Sequence, residues 1–496
     1  MNSPFSHLPN EVCHIIFDSY VLKELVLLMQ VCTSWRELIL SHPTYCSALD
    51  LPEEPTSPQL YFFFTRAHRA ALSRRRLHMD VRSWDRARPV AESILETVRL
   101  NRGHIVELRL QFRSDIFTRV KYAIYKMLQV EILDLTALQA DGQGLIAHGL
   151  VWASGKYFVM PKLRHLRLAG IRLSGLRPNM FAGVVSLALV LPFNGPLIDL
   201  ECEKLMEALP AIKDLIIFGN FSIQGLRNGA DKLKLDRLAV HTRRADEQWL
   251  ALRSHLGDVR DLEFNMFNQA GANLVTEHVL GKVLMQIAIR PSDNCIIFSV
   301  TGECGKTVTF AHGGDGYETL PESSSDDEPQ LSGHTIAPRI KQIEVDIDLW
   351  ESCPVGNHEY SALEVIILIW IENNRTMGGR HSPAGDTESN TRLVMPGGTG
   401  LLSLCPNLRT LRLSNRITTS ADVCIDIREV EDFTRRSFSQ TDIGNIVLEL
   451  SGINTVGPVH IACEMTCCTW SSSFKDIRDV TAEHVGATVL IPNDSG

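Results

Sequence analysis

Between Leu8 and Leu38 the apolar residues recur at three- and four-residue intervals. Val12, Ile15, Ile16 and Tyr20 lie at i, i+3, i+4 and i+8; Leu22, Leu25, Val26 and Met29 repeat the spacing; Val31, Trp35, Leu38 and Ile39 repeat it again until Pro43 ends the run. Such spacing puts residues on one face of a 3.6-residue helix, so three short helices are expected. Pro9 stands near the start of the first, where its missing N–H costs little. Helices shorter than ~12–15 residues are marginal alone in water, so three with this much apolar surface need cover, either from another polypeptide or from the domain that follows.

Further along, the period shortens to two. Leu108-Arg109-Leu110, Leu133-Asp134-Leu135, Leu166-Arg167-Leu168, Leu187-Ala188-Leu189, Leu215-Ile216-Ile217, Leu238-Ala239-Val240 and Leu262-Glu263-Phe264 share an L-x-L form, with steps of 25, 33, 21, 28, 23 and 24 residues. Most steps fall in the roughly 20–29-residue range of leucine-rich repeats. Leu77-His78-Met79 is a candidate earlier member; Leu408, Leu411 and Leu413 reproduce the fuller L-x-x-L-x-L of Leu163, Leu166 and Leu168. Residues two apart share a face of a strand, so the paired positions bury and the one between is exposed. Helical stretches such as Glu92–Leu100 and Glu201–Leu209 supply the crossovers that parallel strands require. The expected product is a curved stack with a parallel sheet. Its exposed inner positions include Glu107, Ile216 and Asp261, and as candidate target contacts Arg109, Asp134, His165, Arg167, Arg237 and Glu263; a merely solvated sheet face fits these residues equally well.

Two segments break the pattern. Residues 313–334 are rich in Gly, Ser and acid, and Ser323, Ser324 and Ser325 precede Asp326, Asp327 and Glu328, a context for phosphorylation whose added charge would dock on the chain's own Arg-rich segment, Arg66 to Arg119. Residues 377–400 read as a flexible insertion. Around them, Cys295–Phe310 and Ile343–Leu349 alternate like strands, and the apolar run Val365–Ile371 reads as a buried strand, far short of the ~20 residues of a membrane span.

Charge and composition narrow the function. The 496 residues are 44% hydrophobic and 22% charged, the balance of a chain that folds. A net charge of −9 argues against a general nucleic-acid binder. Yet Arg66 to Arg119 holds thirteen Arg, no Lys and six acids, a local +7 that marks a basic face or a solvated edge. Twelve cysteines without regular spacing read as reduced thiols, and the amino terminus has no charged-then-apolar leader, so a cytoplasmic or nuclear location is expected.

Three strings imitate catalytic motifs. Gly142-Gln-Gly144-Leu-Ile-Ala147 resembles a dinucleotide fingerprint, but no acid for the ribose occurs from Gly142 through Ile198, although Arg172 would suit a phosphorylated ribose. Gly305-Lys306-Thr307 resembles the end of a phosphate loop, but Val300 stands where glycine is needed and a strand follows, so a hairpin turn is expected. Cys463, Cys467 and Cys468 near His460 lack the second pair that structural zinc wants. No metal and no cofactor are expected.

The stretch LPNEVCHIIFDSYVLKELVLLMQVCTSWREL resembles the F-box motif without a gap: Leu8-Pro9 with Glu11 match the opening, Phe17 the central aromatic, Leu25 the middle leucine, and Val31-Cys32 with Trp35, Arg36 and Leu38 the closing pattern. The match departs at Tyr20–Leu22, where the family has Leu and a polar turn. The resemblance implies that Leu8, Pro9, Glu11, Ile15, Ile16, Phe17, Leu25, Val31 and Trp35 dock on a Skp-type linker, and through it on a cullin-RING ubiquitin ligase. The spacing beyond is similar to the irregular repeat region that follows the F-box in basidiomycete proteins. The expected fold is α/β: a three-helix F-box over 6–50, a connecting segment over 51–70, an irregular leucine-rich-repeat-like solenoid with a parallel sheet over 71–312, the acidic loop 313–334, further repeats over 335–450, and a C-terminal segment over 451–496. The expected function is a non-enzymatic receptor holding a target protein, without nucleic-acid or membrane partners. Two alternatives stand beside it: an adaptor working outside any ligase, and a nucleotide-dependent enzyme using the glycine strings.

Overall fold

The computed structural model describes residues 8–20, 22–52, 54–82, 88–139, 145–146, 149–153, 160–193, 195–224, 235–242, 259–264, 275, 277–290, 295–312, 336–350, 360–370, 391–393, 395–396, 405–416, 423–437, 446–451, 453–456 and 476–479. The chain forms two compact units, Met1–His255 and Leu256–Gly496.

The first unit opens with α1 (Asn10–Asp18), α2 (Leu22–Leu28) and α3 (Thr33–Ser41). Val31 precedes the third helix instead of opening it, because Cys32 takes the N-cap and its sulfur accepts the Trp35 N–H. Pro43 starts a fourth short helix, α4 (Pro43–Ser47), where a residue without an N–H is tolerated. Its N-cap is His42, whose Nδ1 accepts the Thr44 N–H at 3.3 Å. β1 (Ala48–Leu51) follows with no linker. The segment 51–70, expected to be a connection, is largely the first four turns of α5 (Ser57–Ser73), begun by a Thr56–Gln59 capping box and ended at Arg74 in the left-handed conformation, φ 50°. Arg66 in α5 is buried; its Nε donates to the Tyr45 carbonyl at 2.6 Å and its Nη2 to the Ala48 carbonyl, with its guanidinium against the Tyr45 and Phe62 rings, which meet edge-on.

The remaining elements of this unit are β2 (Leu77–Val81), α6 (Arg88–Asn101), β3 (Ile105–Arg113), α7 (Phe117–Ala123), β4 (Ile132–Leu138), β5 (Leu150–Ala153), β6 (His165–Ala169), β7 (Ile171–Ser174), β8 (Ser186–Val190), β9 (Ile198–Glu201), α8 (Cys202–Ala208), β10 (Asp214–Phe218), β11 (Phe221–Gln224) and β12 (Arg237–His241). Strands β1, β2, β3, β4, β6, β8, β10 and β12 pair in that order, all parallel. The L-x-L pairs stand in register: Leu108, Leu133, Leu166, Leu187, Leu215 and Leu238 are successive partners, and all are buried. Each fully buried leucine contributes about 1.5–3 kcal/mol.

Two members of the series differ from expectation. Met79, not Leu77, partners Leu108, because the register shifts between Leu77 and His78; the second member is therefore Met79-Asp80-Val81. Leu49 partners Met79, so Leu49-Asp50-Leu51 is an earlier member at the end of the amino-terminal helices. Two further parallel pairs, β5 with β7 and β9 with β11, lie just past the main strands. Glycine makes two of the corners: Gly170 at φ 67° joins β6 to β7, and Gly219 at φ 119° precedes β11. A Cβ on Gly219 would stand 2.2 Å from the Leu191 carbonyl oxygen, so no side chain fits there.

In the second unit the strand Asp261–Phe264 pairs parallel with Thr307–His312, which belongs to an antiparallel meander with Cys295–Gly302 and Val283–Arg290. From Val283–Arg290 the order runs parallel through Ile340–Asp346, Val365–Trp370, Thr410–Asn415, Val447–Ser451 and Asp476–Asp479. Val365–Trp370 is buried along nearly its whole length, and Leu411 and Leu413 pair with Leu448 and Leu450. Within the stretch read as an insertion, Thr391–Leu393 forms a strand beside Val423–Asp426, and Leu393 and Met395 are buried. The expectation of a flexible 377–400 is corrected at those positions, because apolar residues amid polar neighbours found a parallel partner. Residues 313–334 lie outside the described residues. No helix among the described residues is long and apolar enough to cross a membrane.

Candidate docking face at the amino-terminal helices

Helix α1 buries Cys13 and Phe17, one helical turn apart, as α2 buries Leu25 and α3 buries Ile39, and α1 and α2 each pack on α3. Phe17 stands edge-on to Trp35, centroids 5.5 Å apart, and edge-on to the buried His42. The His42 ring stacks on His14 at 5.2 Å, its Nε2 faces the His14 carbonyl at 3.2 Å and the Asp18 carboxylate at 3.3 Å. With Nδ1 accepting from Thr44, Nε2 carries the proton and both partners are acceptors. Burial pushes the His42 imidazole below its ordinary range, more strongly than the His14 carbonyl and Asp18 raise it. The ring therefore pins α1 to the start of α4 as a neutral group.

The helical periodicity of α1 is thus real, but the stripe it marks looks outward. Ile15 is 70% exposed, and Val12, Ile16 and Tyr20 are exposed beside it along α1. Leu27 on α2 and Val31 in the following turn are 64% and 62% exposed. Scattered exposed apolar residues are ordinary, but six within twenty residues of short helices form a surface with something to gain from cover. A family model described as F-box-like matches residues 5–45. The chain carries an F-box-like domain. No curated protein matches the chain.

The residues singled out for docking on the F-box-like domain separate into two sets. Pro9, Glu11, Ile15, Ile16 and Val31 are exposed, Leu8 and Trp35 half-buried. Phe17 and Leu25 are 1% and 0% exposed, so they are corrected from contact residues to core residues that hold the face in shape. Leu27 went unnoticed, as did Val12 and Tyr20 as contacts. Leu27 lies off the i, i+3, i+4 stripe of α2, and its only signal was an apolar residue out of phase with its helix.

Beyond the F-box-like domain, the sheet face opposite the leucines carries a charged row. Asp50, Asp80, Arg109, Asp134 and Arg167 are successive partners across β1, β2, β3, β4 and β6. Arg167 donates to Asp134 at 2.9 Å, Arg109 to Glu107 at 2.8 Å, and His78 meets Glu107 at 2.9 Å. Burial raises the Glu107 carboxyl, but the His78 hydrogen bond and Arg109 outweigh it and hold the group below the usual range. Toward β8, β10 and β12 the row becomes Ala188, Ile216 and Ala239, and Phe218 stacks on His241 at 4.0 Å. Of the candidate target contacts, Arg109, His165 and Arg167 are exposed, while Asp134 and Arg237 are half-buried. Glu263 is corrected: it lies in the second unit and is 6% exposed, because its strand is covered on both faces.

The strings that imitate catalytic motifs divide likewise. Gly302 to Thr307 is the turn of a hairpin, with the Gly302 N–H donating to the Lys306 carbonyl and Gly305 at φ 73°. Gly142, Gly144 and Ala147, and Cys463, Cys467, Cys468 and His460, lie outside the described residues. Among the described residues no group of three His, Cys, Asp or Glu is arranged to hold a metal.

Proposed function

We propose that this chain is the substrate-recognition subunit of an SCF-type cullin-RING ubiquitin ligase. The exposed side of the three-helix F-box docks on a Skp-type linker, chiefly through Ile15, Ile16, Leu27 and Val31. The stacked strands are a leucine-rich-repeat-like solenoid, and their charged face, from Asp80 and Arg109 to Arg167, contacts the target protein. No chemistry is asked of this chain; ubiquitin transfer belongs to the partners, and the protein works in the cytoplasm or nucleus.

The observation that carries the reading is an apolar face left open inside a stretch that matches an F-box-like model over residues 5–45. Covering it removes apolar area from water at about 25 cal/mol per Å². The test is gel filtration of the purified chain with a Skp-type linker, followed by addition of the cullin. Co-migration with the linker and then the cullin supports the receptor role. Binding of the linker without cullin points to an adaptor outside any ligase, and a folded chain that migrates alone removes the proposal.

A further inference from the structure

A second surface of the first unit lies where helices end and strands begin, at the N-terminal edge of the parallel sheet. Backbone hydrogen bonds run along this edge from loop to loop: Leu77 N–H to the His104 carbonyl at 3.0 Å, Glu131 N–H to Val106 at 2.7 Å, and Arg164 N–H to Glu131 at 2.8 Å. α5 packs beside α6, and α6 beside α7. Shortly before each of the next strands the chain exposes a leucine: Leu72 and Leu100 in the last turns of α5 and α6, at 72% and 62%, and Leu128 in the connection after α7, at 48%. Beside each stands a cation with no carboxylate partner among the described residues: Arg74 following Leu72, Arg102 following Leu100, and Lys126, which lies over the Tyr125 ring, preceding Leu128. The acid of this row, Glu131, is already paired with Arg76 at 2.7 Å.

Two of these cations stand where a glycine would be cheaper. Arg74 and Lys126 have φ 50° and 59°, in the left-handed region reached just after α5 and α7. A non-glycine residue there is strained, and glycine is the usual solution at a helix end. Favourable interaction of a cation with the helix dipole accounts for part of that preference. It does not account for an exposed leucine four or five residues ahead of three successive strands.

We propose that this edge is a docking site for an acidic peptide segment of a partner protein in the polyproline II conformation, with leucine-sized residues at every third position. The charge sets the sign of the partner. The spacing sets its form: neighbouring helices lie about 8–10 Å apart, and one three-residue turn of a polyproline II helix rises about 9 Å and brings every third side chain back to the same face. Leu72, Leu100 and Leu128 would then each meet one apolar side chain, with carboxylates between them facing Arg74, Arg102 and Lys126. A nucleic-acid strand would instead find exposed leucines where it needs stacking rings. This surface is separate from the apolar face of α1 and α2, and its occupant does not depend on what covers that face.

The test uses the full chain and a fluorescein-labelled peptide made of three Glu-Glu-Leu repeats, read by fluorescence anisotropy. Binding is expected to weaken with salt and to fall by at least about tenfold both in Arg74→Glu/Arg102→Glu and in Leu72→Ser/Leu100→Ser/Leu128→Ser. All five positions are on the surface, and circular dichroism melts of both variants should match the parent. Three results each overturn the proposal: no binding at millimolar protein, equal binding of a Glu-Glu-Ser peptide, or undiminished binding by the leucine variant. Capture of phosphatidylserine vesicles by a chain that ignores the peptide would also overturn it, in favour of a lipid surface.

Discussion

The separation of the F-box-like helices into an outward and an inward set makes Ile15→Ala and Phe17→Ala a matched pair of opposites. Full burial of an isoleucine side chain is worth about 1.5–3 kcal/mol. Ile15 is 70% exposed, so docking can bury most of it and truncation should cost roughly 1–2 kcal/mol of binding. That weakens the complex with a Skp-type linker about five- to thirtyfold. Stability of the free chain should stay within about 0.5 kcal/mol, as for other surface changes. Phe17 is 1% exposed and props Trp35 and His42, so Phe17→Ala should take about 3–5 kcal/mol from folding. Trp35→Ala, half-buried between the two sets, should do some of each. Calorimetric titration with the linker measures the first quantity and urea denaturation the second. An Ile15→Ala chain that binds within twofold of the parent, or that unfolds as easily as Phe17→Ala, would refute the assignment of inside and outside.

Arg66→Met should destabilise the first unit by about 2–4 kcal/mol in urea denaturation, because the Tyr45 and Ala48 carbonyls lose their buried donor. Gly219→Ala should cost at least about 2 kcal/mol, since the backbone at φ 119° and the Leu191 carbonyl both reject a Cβ; a melt unchanged from the parent would contradict the corner drawn here. Burial keeps His42 and, with Lys306, His278 neutral, with His278 lowered to about 4 from the ordinary 6.5. The unfolded chain therefore binds more protons below pH 6.5, so stability is intact above that value and falls as acid is added down to about pH 4; a urea midpoint that holds level from pH 7 to 4.5 would argue otherwise. Burial raises the Cys202 and Cys405 thiols to about 11 and about 12, so a thiol reagent should label exposed Cys32 and Cys304 long before them, as mass spectrometry of the native protein would record.

Much of the fold could be read from the sequence because two periods, 3.6 and 2, have direct structural meaning. The L-x-L positions from Leu108 to Leu238 stand in register for the reason that made them visible: a parallel strand buried on one side repeats its apolar phase in every copy. Leu49-Asp50-Leu51 escaped because a five-residue helix stands just before its strand and a proline follows, leaving no flanking repeat to align. The shift at Leu77 is invisible for a different reason, since both Leu77 and Met79 satisfy the alternation and only the pairing with β3 decides between them. For the docking face, periodicity located the helices but not which side looks outward. Val12, Ile15 and Ile16 carry as much apolar character as Cys13 and Phe17, and packing against Ile39 and His42 settles the choice. Glu263 resembled Arg109 and Asp134 in the pattern, yet what covers a strand comes from distant parts of the chain.

The junction between the amino-terminal helices and the sheet bears on the proposed receptor role. A free twenty-residue tether over 51–70 would let its ends wander by about 25 Å, at roughly 5–6 Å times the square root of its length. This chain has no such tether there. β1 starts at the residue after α4, and its Leu49 and Leu51 are locked in register with Met79 and Val81. Arg66 returns from α5 to bond the carbonyls of Tyr45, in α4, and Ala48, in β1, so one side chain fastens helix, strand and crossover together. The exposed face of α1 and α2 and the charged row from Asp50 to Arg167 therefore keep a set mutual orientation. A partner seated on the first presents the second in one direction, and the geometry of presentation is decided within the residues from Pro43 to Arg66.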